Sequence, residues 1–231
     1  MVREHRFADS TQLVAALTQS IVADLQQALD QRAAATLLVS GGRTPTALFQ
    51  RLSQQPLPWS RIIVSLTDDR WVPETHPDSN AGLVRRELLR AAAAAARFVP
   101  LVTAAADPWL GHAESERLFA QLHRPFDAVI LGMGTDGHTA SLFPGSPQLQ
   151  TGLHEQHSAT FAAMPPAGVD HPRVSLTLAT LLDSRQLYLH IEGEQKWQRY
   201  LQARQPGAVE TCPVRAVLEQ QRVPLDLYWS A

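Results

Sequence analysis

Residues 126–147 read FDAVILGMGTDGHTASLFPGSP. The first six form an apolar run of strand length, and they pass without a break into a segment holding Gly132, Gly134, Gly137 and Gly145. The run reads as a buried strand. A glycine-rich turn at the carboxyl end of such a strand is where open α/β sheets place ligands, because backbone without a Cβ lets a small molecule approach closely. Asp136 and His138 flank Gly137 in that turn. A carboxylate two residues from an imidazole can fix the ring and hold its tautomer for proton transfer.

A second turn of the same kind lies upstream. SGGRTP, residues 40–45, follows the apolar stretch 36–39 and opens a helix over 45–53, with Pro45 at the first helical position where its missing N–H costs nothing. Outward from these two turns the pattern alternates. Leu13, Ala16, Leu17, Ile21, Leu25 and Leu29 recur at steps of three and four, predicting an amphipathic helix over 9–33 with Asp9 or Ser10 as its cap. Residues 62–66 predict a strand, 67–78 a polar loop, 79–92 a helix that the alanines of 91–96 extend, and 98–101 a short strand. A helix is expected over 111–122, strands over 173–178 and 186–191, a helix over 194–203 and an edge strand over 223–229. The expected fold is one α/β domain over 1–231, three-layered, with a mostly parallel doubly wound sheet and helices on both faces. The polar, proline-rich stretch 148–172 is expected to be the most mobile.

Composition narrows the function. The chain has 231 residues, 45% of them hydrophobic and 18% charged, as in globular proteins with a substantial core. Its formal charge of −2 and scattered basic residues offer no general attraction for nucleic acid or anionic lipid, so neither is an expected partner. Cys212 is the single cysteine, the segment MVREHRFADS lacks an apolar signal core, and no stretch approaches the roughly 18 apolar residues that span a bilayer. The expected location is the cytoplasm. Nine histidines without metal-ligand spacing leave metal ligation unsupported, although clusters formed in space stay invisible at this level. The five tryptophans are expected to be packing anchors.

The chemistry left over is modest and specific. Backbone N–H groups at Gly41, Gly42 and Arg43, with the Thr44 hydroxyl, suit a phosphate or carboxylate. The segment TDDRWVP, 67–73, sets two acids beside Arg70 and can present an Arg fork to an anion or form a surface salt bridge. Asp78-Ser79-Asn80 reads as a helix cap that leaves Asn80 for a sugar hydroxyl. Arg173 and Lys196 are further cations that could face the same crevice. No G-x-S-x-G elbow is present and nothing near Cys212 would activate it, so covalent catalysis is not expected.

On these motifs the chain resembles the 6-phosphogluconolactonases of the pentose phosphate pathway over nearly its whole length. The resemblance is carried by SGGRTP (40–45), LTDDRWVPETHPDSN (66–80), GMGTDGHTASLFPGSP (132–147), PRVSLTL (172–178) and GEQKW (193–197). It implies a fold shared with glucosamine-6-phosphate deaminases and similar to ribose-5-phosphate isomerases. It also implies hydrolysis of 6-phospho-D-glucono-1,5-lactone without metal or cofactor. His138 would be the general base with Asp136 beside it, and Gly41, Gly42, Thr44, Arg70, Asn80, Arg173 and Lys196 would contact the substrate. After the shared Asp-Gly, deaminases of this family carry HIAFNEP, whereas this chain has HTASLFP at 138–144, the lactonase form. Arg43 and Asp69 depart from the Ser or Asn and the Glu usual in the family, and Arg43 stays outside the expected site. Two other activities remain open at this level: an isomerase or deaminase working through an enediol, and a sugar-phosphate sensor that turns nothing over.

Overall fold

Every residue of ATLLV (35–39), IIVSL (62–66) and AVIL (128–131) is buried, which requires cover on both faces of the sheet they form. The computed structural model describes residues 2–154, 159–165 and 170–231. In chain order its elements are β1 (Val2–Phe7), α1 (Ser10–Gln31), β2 (Ala35–Val39), α2 (Thr46–Leu52), β3 (Ile62–Leu66), β4 (Asp68–Arg70), α3 (Asn80–Glu87), β5 (Arg97–Phe98) and α4 (Pro108–Phe119). There follow β6 (Ala128–Leu131), α5 (Leu149–Leu153), β7 (Phe161–Met164), β8 (Arg173–Leu176), α6 (Leu178–Leu181), β9 (Leu187–Glu192), α7 (Glu194–Ala203), α8 (Val214–Glu219) and β10 (Leu225–Ser230).

Seven strands make the central sheet in the order β1-β10-β9-β6-β2-β3-β5, and each neighbouring pair is parallel. From β2 the chain steps outward through β3 to β5, while from β6 it steps the other way through β9 to β10. The reversal falls between β2 and β6, whose carboxyl ends carry the two glycine turns. Such a switch point leaves a crevice that no crossover covers.

Helix α1 starts where Asp9 accepts the Gln12 N–H, a cap that contributes about 1 kcal/mol. It buries Leu13, Leu17, Ile21, Leu25 and Leu29, each stabilising the fold by roughly 1.5–3 kcal/mol. A second, antiparallel sheet, β4-β8-β7, has no counterpart in the sequence pattern. After β3 the chain leaves the central sheet at Thr67, whose N–H still bonds to Val39 O, and β4 pairs with β8 instead. The strand expected over 173–178 therefore belongs to this smaller sheet.

Other expectations need correction. Residues 91–96 do not extend α3: Arg90 is extended, Ala91 sits at φ 48° and Ala91–Ala95 form a separate 3₁₀ turn. The strand expected at the edge over 223–229 lies inside the sheet, because β1 pairs outside it. Trp109 is 51% exposed and anchors no core, unlike the buried Trp59, Trp71 and Trp197. Of the stretch expected to be mobile, 149–153 and 161–164 form α5 and β7, while 155–158 and 166–169 lie outside the described residues. Among the described residues no helix is long and apolar enough to cross a membrane.

Candidate active site

The crevice at the switch point is a cavity of about 210 Å³. Gly41, Gly42, Thr44, Arg70, Asn80, His138, Arg173 and Lys196 all line it, and Asp136 stands immediately behind His138. Ser40 joins the two glycine turns: its Oγ donates to Ile130 O at 2.7 Å and accepts the Gly132 N–H at 3.2 Å. Gly41 must lack a side chain, since a Cβ there would fall 1.8 Å from Asn80 Oδ1. Gly42, at φ +94°, takes the left-handed conformation that turns its backbone toward the cavity.

The His138 turn is built around a short contact. Nδ1 of His138 lies 2.6 Å from Asp136 Oδ1, which also accepts the His138 backbone N–H at 3.1 Å. A carboxylate at Nδ1 holds the proton there and leaves Nε2 with its lone pair. Burial alone would raise the Asp136 pKa, but the hydrogen bonds and charge of His138 outweigh it and the net shift is downward. Gly134 accommodates this pair, because a Cβ at that position would meet the imidazole at 2.2 Å. Phe143 packs on the ring with centroids 4.2 Å apart. The turn is pinned from outside as well: Arg199 on α7 donates to Asp136 O at 2.6 Å, and the Val214 N–H donates to Gly137 O at 2.9 Å.

The expected Arg fork exists but is held differently. Arg70 Nη1 donates to Asn80 Oδ1 at 2.6 Å and to Asp78 O at 3.3 Å, not to the neighbouring acids. Asn80 is correspondingly engaged rather than free, with Nδ2 donating to Asp68 O at 2.9 Å. Asp69 is fully buried and accepts the N–H groups of Arg70, Asn80 and Ala81 at 2.8, 2.7 and 3.0 Å. It thereby fixes the start of α3 alongside the Ser79 cap. Burial pushes its pKa up to about 7, against the pull of those donors. Asp68 accepts the Ser141 hydroxyl at 2.5 Å, tying β4 to the segment after His138.

Arg70 and Arg173 face each other across the β4–β8 pair, where like charges are unfavourable unless an anion joins them. Burial and then the Arg70 charge lower the Arg173 pKa, and its buried Nε has no partner. Lys196 reaches Thr44 Oγ1 at 3.3 Å, and burial lowers its pKa too. With Arg43, four cations and the one carboxylate of Asp68 line the cavity. A chain of net charge −2 has gathered positive charge where an anionic ligand would sit. Burial pushes the Cys212 thiol up, away from the thiolate form that a nucleophile needs.

Sequence reasoning missed Asp69 and Arg199 as supports, and it missed buried His190, which lines the cavity and whose Nε2 lies 2.9 Å from Glu192 Oε1. One signal was available for Arg199, since a position three residues after Lys196 shares its helix face. Asp69 offered none, because the two partners it braces on α3 lie eleven and twelve residues downstream.

A family model described as glucosamine-6-phosphate isomerases/6-phosphogluconolactonase matches residues 8–229. A 6-phosphogluconolactonase of Rhizobium meliloti strain 1021 is 41% identical over 226 residues, covering 98% of this chain and 97% of its own. One from Pseudomonas aeruginosa is 43% identical over 213 residues, covering 92% and 88%. The crystal structure of a 6-phosphogluconolactonase from Shewanella baltica OS155 superposes with a TM-score of 0.97 at 40% identity, over 100% of this chain and 98% of that one.

Proposed function

Because the chain belongs to the family of glucosamine-6-phosphate isomerases and 6-phosphogluconolactonases, we propose that it hydrolyses 6-phospho-D-glucono-1,5-lactone to 6-phospho-D-gluconate, with His138 as general base. The observation that carries this reading is the imidazole at the cavity wall, tethered through Nδ1 to Asp136 in a pocket lined by four cations. The role that follows is the hydrolytic step of the oxidative branch of the pentose phosphate pathway, in the cytoplasm, carried out by one unit spanning 1–231.

A δ-lactone is an activated ester, so its hydrolysis needs a positioned water, a base and donors for the developing oxyanion. The Nε2 lone pair of His138 takes a proton from water as its oxygen attacks the lactone carbonyl. The Asp136 carboxylate stabilises the imidazolium that results. As the tetrahedral intermediate collapses, the C–O bond to the ring oxygen breaks and Nε2–H protonates that oxygen. The phosphate is held among Arg70, Arg173, Lys196, Thr44 and the N–H groups of Gly41 and Gly42, while Asn80 keeps Arg70 in place.

The test is NMR observation of freshly generated lactone with wild type, with His138→Ala and without enzyme, since the lactone also opens spontaneously. Fast turnover that falls toward background in the variant is expected. Turnover that survives the substitution would overturn the base assignment, and no wild-type rate above background would overturn the activity.

A further inference from the structure

Beside the stretches that carry Arg70 and Arg173, outside the hydrolytic machinery, His76, Asp78 and His171 bring two imidazoles and a carboxylate together. Their donor atoms all lie within 4.8 Å of one another, and this is the one converging group of three His, Cys, Asp or Glu side chains among the described residues. His171 Nε2 is 3.4 Å and His76 Nδ1 3.8 Å from Asp78 Oδ2. The two rings meet edge to face with centroids 5.1 Å apart.

The geometry points to a binding site for one divalent transition ion of the zinc, cobalt or nickel class. Zinc bound at about 2.0–2.2 Å by imidazole nitrogen and carboxylate oxygen asks for donors roughly 3.4 Å apart in a tetrahedron. Two edges of this group are already within a few tenths of an ångström of that spacing, and Asp78 is exposed enough to leave water the fourth position. Two imidazoles with one carboxylate favour these borderline ions over magnesium or calcium, which prefer all-oxygen ligands. The Asp78 N–H donates to His76 Nδ1 at 3.2 Å, so that nitrogen carries a lone pair, and an ion would take the place of this long bond.

The three donors come from two stretches of chain already held together. His76 N–H bonds to Pro73 O at 2.9 Å, Ser79 N–H bonds to His76 O at 3.0 Å, and Trp71 N–H bonds to Pro172 O at 2.7 Å. An ion would therefore bind without reorganising either stretch. Arg70, whose guanidinium donates to Asp78 O, and Arg173, which feels the Asp78 charge, oppose a dication and hold the affinity well below that of a structural zinc site. If the site acts on hydrolysis, a consequence that rests on the proposed function, it does so by bracing the stretches that carry Arg70, Asn80 and Arg173.

The test is calorimetric titration of the metal-free full chain with Zn²⁺ in a non-coordinating buffer, backed by the visible spectrum of added Co²⁺. One equivalent should bind, and His171→Ala should weaken it severely. Loss of a partner behind a ligand already costs roughly 10–100-fold, and loss of a ligand costs at least as much. His123→Ala should leave binding unchanged. No saturable binding, or equal affinity in His171→Ala, would overturn the site. Binding is read without substrate, so it stands or falls independently of the lactonase reading. His171→Ala should keep wild-type turnover in the presence of a chelator.

Discussion

Asp69 presents a sharp conflict between burial and hydrogen bonding, and replacing it by Asn tests which wins. The carboxyl is fully buried and receives three backbone N–H groups, which favour the ionised form, yet burial leaves its pKa raised from 3.8 to about 7. A folded-state pKa above the unfolded one means that the folded chain binds the extra proton between those values. The stability associated with that proton is complete below about pH 4 and is lost as pH rises through 7. A proton held that much more tightly by the folded chain is worth about 4 kcal/mol, falling at about 1.4 kcal/mol per pH unit across the window. Asn keeps one oxygen for the Arg70 and Asn80 N–H groups but turns its amide toward Ala81. That lost bond costs about 1–3 kcal/mol at every pH. Urea unfolding of both proteins between pH 4.5 and 8, followed by tryptophan fluorescence, cancels the other titrating groups in the difference. Over this window, which begins above 3.8, the gap should move in favour of the variant by about 3 kcal/mol as pH rises. A gap that stays constant would mean that the carboxylate is ionised throughout and that its three donors outweigh burial.

Two further outcomes follow from the His138 turn. Asp136→Asn can keep the hydrogen bond to Nδ1 but not the charge that stabilises the imidazolium, so kcat should fall by about 10²–10⁴ with KM nearly unchanged; a kcat within threefold of wild type in a lactone-depletion assay would count against the pair acting together. Arg199→Ala removes the donor to the Asp136 carbonyl, a bond from a charged group worth about 1.5–3 kcal/mol, and should lower kcat by roughly 10–100-fold, with partial recovery in added guanidinium. A change in KM alone would show that Arg199 does not position the turn.

Much of the framework was legible because buried parallel strands announce themselves. ATLLV, IIVSL and AVIL are apolar without alternation, and the glycine turns after the first and third mark where backbone approaches a ligand. Asp136 and His138 were legible because their contact is local, two residues apart. β1 was not, since VREHRF is largely exposed and its pattern is that of an edge. The alanines of 91–96 misled because helix propensity does not register an extended Arg90 or a positive φ at Ala91. The supports for Arg70 and Asn80 were hidden for a different reason. Asp69 works through contacts made after the chain leaves the central sheet beyond β3, and nothing in the residues around Thr67 signals that departure.

The place of β10 in the sheet bears on how the chain comes off the ribosome. Among the described strands β1 is made before the others, yet its one neighbour in the sheet is β10, the last of them. Throughout synthesis β1 has no mate, and β9 shows an open flank where β10 will later slot in. An apolar segment kept waiting in that way would be a hazard to a nascent chain. Arg3, Glu4, His5 and Arg6 make this one safe to leave dangling, and all four later find partners, Arg3 and His5 on Asp226, Glu4 on Tyr200 and Arg6 over the Trp197 ring. The polarity that disguised the first strand is what lets it wait for the last.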